Sequence, residues 1–422
     1  MNLREIAQQK DRLSDGPGRY KDHFEIPDQT IYLDGNSLGP PLIKSLEVVK
    51  KTTEEEWKNR LIRSWNEDWL ESWERISHKI ATLINAEPGE VIVTDSVSVN
   101  LYKLAFAAIA LQQNRKEILT DNLNFPSDIY VLQGLTKNHF QAKILNILEQ
   151  KNEDKVEENI LNHINSETAL VTFSHVSFQS ARRYQMAEIN QKSKAFGAIN
   201  LWDFSHSIGA VPIDVKASGV DLAVGCTYKY LNGGPGAPAF LFVRKELQKQ
   251  LQNPIQGWFS HQNPFEFGPS FKRKENAWQF AVGTPSVISL KAIEPGLDLH
   301  LKAGSTQLWE ESKELFEYFL LYFQNFLKER IFSISTPSNP EFRGSHIALH
   351  HPEAYRINLS LIHPRTSEKT FITDHRPPDI IRIALTPLYL GFKDVADFCE
   401  RLMEIIDSKE YENHSSDKLG VI

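Results

Sequence analysis

Cysteine is nearly absent from this sequence: Cys226 and Cys399 are the only two in 422 residues. Two thiols cannot build a disulfide framework or a cysteine-based zinc site, so a reducing compartment suits the chain better than an oxidising one. Long apolar runs are missing too. No stretch approaches the ~18 residues a membrane helix needs, and the opening Met-Asn-Leu-Arg-Glu-Ile-Ala places no apolar segment behind a basic head. Nor is there an excess of positive charge. Lys and Arg number 47 against 54 Asp and Glu, a net −7, whereas a chain that holds nucleic acid by counterion release carries the opposite balance. The expectation is a mildly acidic cytoplasmic protein that acts on neither nucleic acid nor membrane.

What is present is globular. Hydrophobic residues make up 41% and charged residues 24%, ordinary proportions for a folded chain. At ~100–200 residues per domain, the length predicts two or three. Residues 1–30 read as a short polar arm. From 42 to 85 the pattern is helical, and Trp57, Leu61, Trp65, Trp69 and Trp73 recur at four-residue steps, the spacing of one buried helix face. Between 88 and 290, β-branched runs at 90–94, 169–173, 199–202, 222–224 and 239–243 alternate with helical stretches such as 184–196. That alternation predicts an α/β fold, a mostly parallel sheet with helices on both faces. Helices dominate 286–330, and strand-like pieces at 332–334, 345–349 and 380–385 then precede a helix over 394–406 with Val395, Phe398, Leu402 and Ile405 on one side. The divisions expected are an arm over 1–30, a large domain over 31–290, a smaller α+β domain over 291–412 and a flexible tail over 413–422.

The stretch from 200 to 240 carries the most chemistry. Asp203 closes a predicted strand, where open α/β sheets place ligand-binding groups. Lys229 follows the next strand and precedes Asn-Gly-Gly-Pro-Gly. A lysine desolvated there has a lowered pKa and can form a Schiff base, and an aspartate opposite suits a pyridinium nitrogen. The plain alternative is a strand-end cap and a solvated lysine, and spacing alone leaves both readings open.

Motifs along the chain add to this. Asp203-Phe-Ser-His206, Thr-Tyr228-Lys229-Tyr-Leu-Asn-Gly-Gly-Pro-Gly, Tyr32-Leu-Asp-Gly-Asn36-Ser-Leu-Gly-Pro, Asn124-Phe125-Pro126-Ser127-Asp128, Gly257-Trp258-Phe259-Ser-His and Arg382-Ile-Ala-Leu-Thr-Pro-Leu-Tyr389 appear in that chemistry's expected company. Together they resemble the fold-type I (aspartate aminotransferase-like) pyridoxal phosphate enzymes, and among them the kynureninases. The motifs span residues 32 to about 392, nearly the whole chain.

The resemblance implies pyridoxal phosphate as cofactor and hydrolysis of kynurenine to anthranilate and alanine, with 3-hydroxykynurenine as the competing substrate. It makes Lys229 the Schiff-base lysine and the carrier of the Cα proton, and Tyr228 a second acid/base. Asp203 pairs with the ring nitrogen, flanked by His206 and Asp128, while Phe125 stacks on the ring beside Pro126 and Ser127. Val97 and Ser98 hold the phosphate at a helix start, where free N–H groups favour an anion. Ser174 lines the pocket. Trp258 and Thr284 come from a neighbouring subunit, which implies a homodimer. Arg382 holds the substrate carboxylate bidentately, unless it only pairs with Asp379 or Asp374. Trp65 is a platform for the substrate ring, with Gly283 and Thr284 near its edge. A Trp beside a Gly offers a ring hydroxyl little polar help, so kynurenine is the expected preference. The kynurenine pathway, tryptophan catabolism and NAD biosynthesis are the settings the resemblance implies.

Two features depart or compete. His375, in Asp374-His375-Arg376-Pro377-Pro378-Asp379, stands near the carboxylate end of the expected pocket, and His346, His350 and His351 resemble a metal cluster. Strand alternation sends His350 and His351 to opposite faces, so no metal site is expected. The competing enzyme reading is a related fold-type I lyase, a cysteine desulfurase or C–S lyase. It needs a loop thiol, and neither cysteine reads as one.

Overall fold

A computed structural model describes residues 2–12, 16–112, 114–136, 141–145, 154–365 and 367–417. Its strands in chain order are Thr30–Tyr32 (β1), Val91–Val93 (β2), Glu117–Asp121 (β3), Gln141–Leu145 (β4), Thr168–Ser174 (β5), Ile199–Asp203 (β6) and Leu222–Gly225 (β7). Phe240–Val243 (β8), Ser333–Ile334 (β9), His346–His350 (β10), Thr370–Ile372 (β11), Asp374–Arg376 (β12) and Ile380–Ala384 (β13) follow.

Seven of these form the main sheet, in the order β2-β8-β7-β6-β5-β3-β4. The pairs from β4 to β7 are parallel, and β8 runs antiparallel to both its neighbours. Every residue of β5 and β6 is buried. These strands are continuous apolar runs because helices cover both faces, leaving no solvent side for polar alternation. Register places Ser174 beside Asp203 and Asp203 beside Val224. The carboxyl ends of three parallel strands therefore meet at one edge.

A second core lies around β12-β13-β10-β9, an antiparallel sheet, and the parallel pair β1-β11. Leu315, Phe316 and Phe319 of the helix Ser305–Tyr322 pack there with Val395, Phe398 and Leu402 of the helix Phe392–Asp407. The arm joins this core through Ala7 and Phe24. The helix Val287–Ala303 serves both cores: Leu290, Ile293 and Leu297 enter the first, Leu299 and Ala303 the second. Among the described residues no helix is long and apolar enough to cross a membrane.

Three placements differ from the sequence reading. The tryptophan stripe is only half a core. Trp69 and Trp73 are buried and Trp65 packs on the first core, but Trp57 is 58% exposed and Leu61 57%. The chain winds i→i+5 over Thr52–Arg60 and Trp65–Trp69, with a tighter turn at Leu61–Arg63 between them. Such winding changes the residues per turn, so a four-residue step drifts around the axis instead of holding one face. Residues 31–33, read as the start of the large domain, sit in the second core, where Ile31 and Leu33 are buried. Residues 413–417, expected to fray, are tied where the Tyr355 hydroxyl donates to the Asp417 carbonyl at 2.8 Å. Residues 418–422 of that expected tail lie outside the described residues.

Candidate active site

Asp203 ends β6 at the sheet's carboxyl edge and lines a cavity of about 700 Å³, a volume typical of small-molecule sites. Its Oδ1 accepts from the Ser205 N–H at 2.8 Å and the Ser205 hydroxyl at 2.6 Å. No described group donates to Oδ2, which stays available to a ligand. Burial raises this carboxyl above its ordinary value, against the pull of the Ser205 bonds.

Lys229 reaches the same cavity from the loop after β7. Its Nζ lies 3.1 Å from His206 Nε2 and 5.8 Å from the ring centres of Phe125 and Tyr228. Desolvation lowers the Lys229 pKa, while nearby Cys226, Asp203 and Asp128 push it back. Burial, then the Lys229 charge, holds His206 neutral. Asp128 is raised well above the carboxylate range by burial and by Asp203, so protons and charges are shared among closely spaced groups, as at catalytic centres. Burial also raises the Tyr228 phenol above its ordinary value.

The third wall is the start of the helix Val97–Leu111. Ser96 caps it, its hydroxyl accepting from the Val99 N–H at 3.4 Å. Val97 and Ser98 both line the cavity, and N–H groups in a first helical turn have no intrahelical partner.

Of the residues expected in the site, Val97, Ser98, Phe125, Ser127 and Asp128 share this cavity with Asp203, His206, Tyr228 and Lys229. Thr284, expected from a neighbouring subunit, lines the cavity of its own chain beside Gly283. Others stand off the lining. Pro126 opens the helix Pro126–Thr136, and Ser174 is buried at the end of β5, its N–H bonded to the Asn124 side chain. Trp65 meets Trp69 and Phe259 edge-on or tilted, at 5.3 and 6.3 Å. Trp258 is 39% exposed and packs on Phe259.

Arg382 is enclosed in β13 and is held by the protein itself. Nε donates to Asp374 Oδ1 at 2.8 Å, Nη2 bonds Asp374 Oδ2 and also the Ser37 hydroxyl at 2.8 Å, and Nη1 donates to the Phe178 carbonyl at 2.7 Å. The Asp374 pairing left open by the sequence is therefore formed, across the β12–β13 ladder. Asp379 instead meets His350, at 3.1 Å. A guanidinium has five N–H groups, so one Nη1 hydrogen remains and a bidentate grip requires Ser37 to yield. Phe178 also touches Phe125, ring centres 5.2 Å apart, which links Arg382 to the cavity wall. His375 alternates to the opposite face of β12 and packs against Tyr355.

Sequence reasoning missed several lining residues, among them Asp95, Ser205 and Ala239. The signal for Ser205 was present, since Asp-x-Ser at a strand end is an Asx-turn pattern. His346, read from the sequence only as part of a histidine cluster, has its ring centre 5.9 Å from that of His206. His350 bonds Ser335 at 2.8 Å and His351 packs on Phe332. Among the described residues, no group of three His, Cys, Asp or Glu is arranged to hold a metal ion.

A cavity with a desolvated lysine, a strand-end aspartate keeping one oxygen free and a helix start facing inward defines a fold-type I pyridoxal phosphate enzyme. The residues fit that cofactor: an amine, a carboxylate with a free oxygen, an aromatic ring at Phe125 and a helix start with unpaired N–H groups line one space of suitable size. Residues 31–359 match the Aminotransferase class-V family. The kynureninase of Pseudomonas fluorescens is 36% identical over 93% of this chain and 92% of that protein. The kynureninase of Burkholderia pseudomallei (strain K96243) is 34% identical over 97% of each. The C–S lyase C-DES, solved as a mutant with glycine covalently linked to the PLP cofactor, shares the fold with a TM-score of 0.77 at 18% identity, over 88% of this chain and 96% of that one. The chain belongs to the class-V aminotransferase family and, within it, to the kynureninases. Its cofactor is pyridoxal phosphate. Likeness to a C–S lyase at that identity reflects the fold alone. Both cysteines are buried, and burial raises both thiols, which removes the exposed thiolate a desulfurase needs.

Proposed function

We propose that the chain hydrolyses L-kynurenine to anthranilate and L-alanine, using the site residues in the roles below. The observation that carries this reading is the meeting of Lys229 and Asp203 in one cavity. Pyridoxal phosphate, when bound, supplies an aldehyde that condenses with amines and a ring that takes up electrons from the substrate. Lys229, its amine favoured in the neutral form by desolvation, would hold the cofactor through that aldehyde and move the proton at the substrate Cα. Asp203, through Oδ2, holds the proton on the ring nitrogen. Val97 and Ser98 hold the phosphate, Phe125 covers the ring, and His206 and Asp128 set the charge around Lys229. Tyr228 serves the later proton transfers, after water has added to the side-chain ketone. Arg382 orients the α-carboxylate, using its remaining Nη1 hydrogen and the one Ser37 now takes.

The purified protein is expected to show the absorbance of a bound chromophore and to release fluorescent anthranilate from kynurenine. Reconstituted protein with neither property ends the proposal. Gly283 lines the cavity and has open space around it, offering a ring hydroxyl no donor or acceptor side chain. Kynurenine is therefore the preferred substrate over 3-hydroxykynurenine, by kcat/KM, and the opposite ranking removes this specificity argument.

The exposed aromatics Trp258, Phe265, Phe267 and Phe271 support a homodimer, with Phe267 as much as 78% exposed. An apolar patch of this kind marks an association surface. Sedimentation velocity is expected to give twice the chain mass. A monomer at micromolar concentration leaves Trp258 without a neighbouring site to complete. The two free cysteines fit a cytoplasmic setting, and the chemistry fits tryptophan catabolism by the kynurenine pathway and supply to NAD biosynthesis.

A further inference from the structure

One buried cation outside the reacting constellation joins three walls of the cavity. Lys103, on the helix Val97–Leu111, has a fully enclosed side chain. Its Nζ lies 2.7 Å from Asp95 Oδ2 and 2.8 Å from the Phe280 carbonyl oxygen. Both partners are acceptors; burial lowers the Lys103 pKa from its ordinary value, and the Asp95 carboxylate beside it opposes that shift and favours the ammonium. Phe280 leads into the wall formed by Val282, Gly283 and Thr284.

Asp95 lines the cavity just ahead of Val97 and Ser98. Its backbone is in the left-handed region, φ +47°, which aspartate and asparagine tolerate better than most residues. The Ala239 N–H donates to the Asp95 carbonyl and the Thr94 N–H to the Ala239 carbonyl, both at 2.8 Å, and the Thr94 hydroxyl donates to Asp95 Oδ2 at 3.1 Å. The carboxylate is thus fixed at the helix start, where a phosphate has to sit. A fixed anion there repels a phosphate dianion unless a cation is held against it.

We propose that Lys103 is a positioning residue for the cofactor phosphate: it cancels the Asp95 charge and ties the helix start to the Phe280 wall. This rests on the reading that Val97 and Ser98 bind the phosphate. Lys103 touches neither substrate nor cofactor, so its effect passes through Asp95.

Pyridoxal has the aldehyde and ring of the cofactor without the phosphate, and titrating apoprotein with each separates the contributions. Lys103→Met is expected to weaken pyridoxal phosphate binding about tenfold or more while pyridoxal binding stays within ~threefold. Adding Asp95→Asn is expected to bring pyridoxal phosphate affinity back to within ~threefold of wild type, because the repelling charge is gone and the side-chain shape is kept. Equal weakening toward both ligands, or no rescue in the double variant, overturns the proposal in favour of a purely structural tie. Asp95→Asn alone keeps Lys103 in place and decides the matter even if Lys103→Met fails to fold. It is expected to bind pyridoxal phosphate as tightly as wild type or more so, and a loss of about tenfold overturns the proposal. Wild-type protein that does not distinguish the two ligands refutes the phosphate reading itself, an outcome separate from any variant's behaviour.

Discussion

Lys229→Ala should leave anthranilate production about 10³–10⁴-fold below wild type, since one side chain supplies both the attaching amine and the proton carrier. The geometry allows no ready substitute. His206, the nearest titratable neighbour at 3.1 Å, is held neutral by burial, but an imidazole cannot attach to the aldehyde as a primary amine does. Steady-state anthranilate fluorescence reads the rate, and the absorbance of reconstituted protein reads the lost attachment. Activity within tenfold of wild type would mean that Lys229 is not the central base. The direction of its pKa adds a second test. Desolvation lowers Lys229 from the ordinary 10.5, so the neutral amine persists to lower pH than in free lysine. The rate at which apoprotein takes up the cofactor aldehyde should therefore reach half its maximum below pH 10.5, and a midpoint at or above 10.5 would contradict the desolvated amine.

Asp203→Asn is expected to cost roughly 10²–10⁴-fold in kcat, with a smaller change in KM. An amide at that position keeps the shape of the strand end and a bond to Ser205 but cannot hold a proton on the ring nitrogen. The effect falls on kcat because electron uptake by the ring is needed in the reaction and not in substrate binding. A variant whose KM rises while kcat stays put would reassign Asp203 to holding the fold. The burial that raises its pKa makes that distinction informative, because a buried carboxylate kept only for structure would be better replaced by a neutral group.

How far the sequence could be read depended on whether one residue or a pair carried the information. The apolar runs that became β5 and β6 were legible because burial on both faces leaves no alternative composition. Asp203 and Lys229 were legible because strand ends and glycine turns mark the sheet's ligand edge. The short strand Gln141–Leu145 carried no such signal: among the described residues it is an edge strand, paired to β3, and needs less apolar character. Trp57 and Leu61 misled because their spacing assumed regular winding. The Arg382–Asp374 pair could be named in advance but not chosen over Asp379, since cross-strand register decided it. Lys103 was silent for a plain reason: a lone lysine in a helical stretch reads as solvated, and only the fold brings Asp95 and Phe280 to its tip.

The helix shared by the two cores carries a mechanical consequence. Lys229 and Asp203 line the cavity at the first core and Arg382 belongs to the second, so under the proposed roles the span from amine to guanidinium crosses their junction. Val287–Ala303 is anchored by Ile293 and Leu297 on one side and by Leu299 and Ala303 on the other. Pro295, between the first-core anchors Ile293 and Leu297, has no amide hydrogen to give the helical ladder. A change in that span falls on this helix, whose ladder lacks one bond at Pro295. Under the proposed roles of Lys229 and Arg382, substrate alignment depends in part on the stiffness of a helix that carries neither residue.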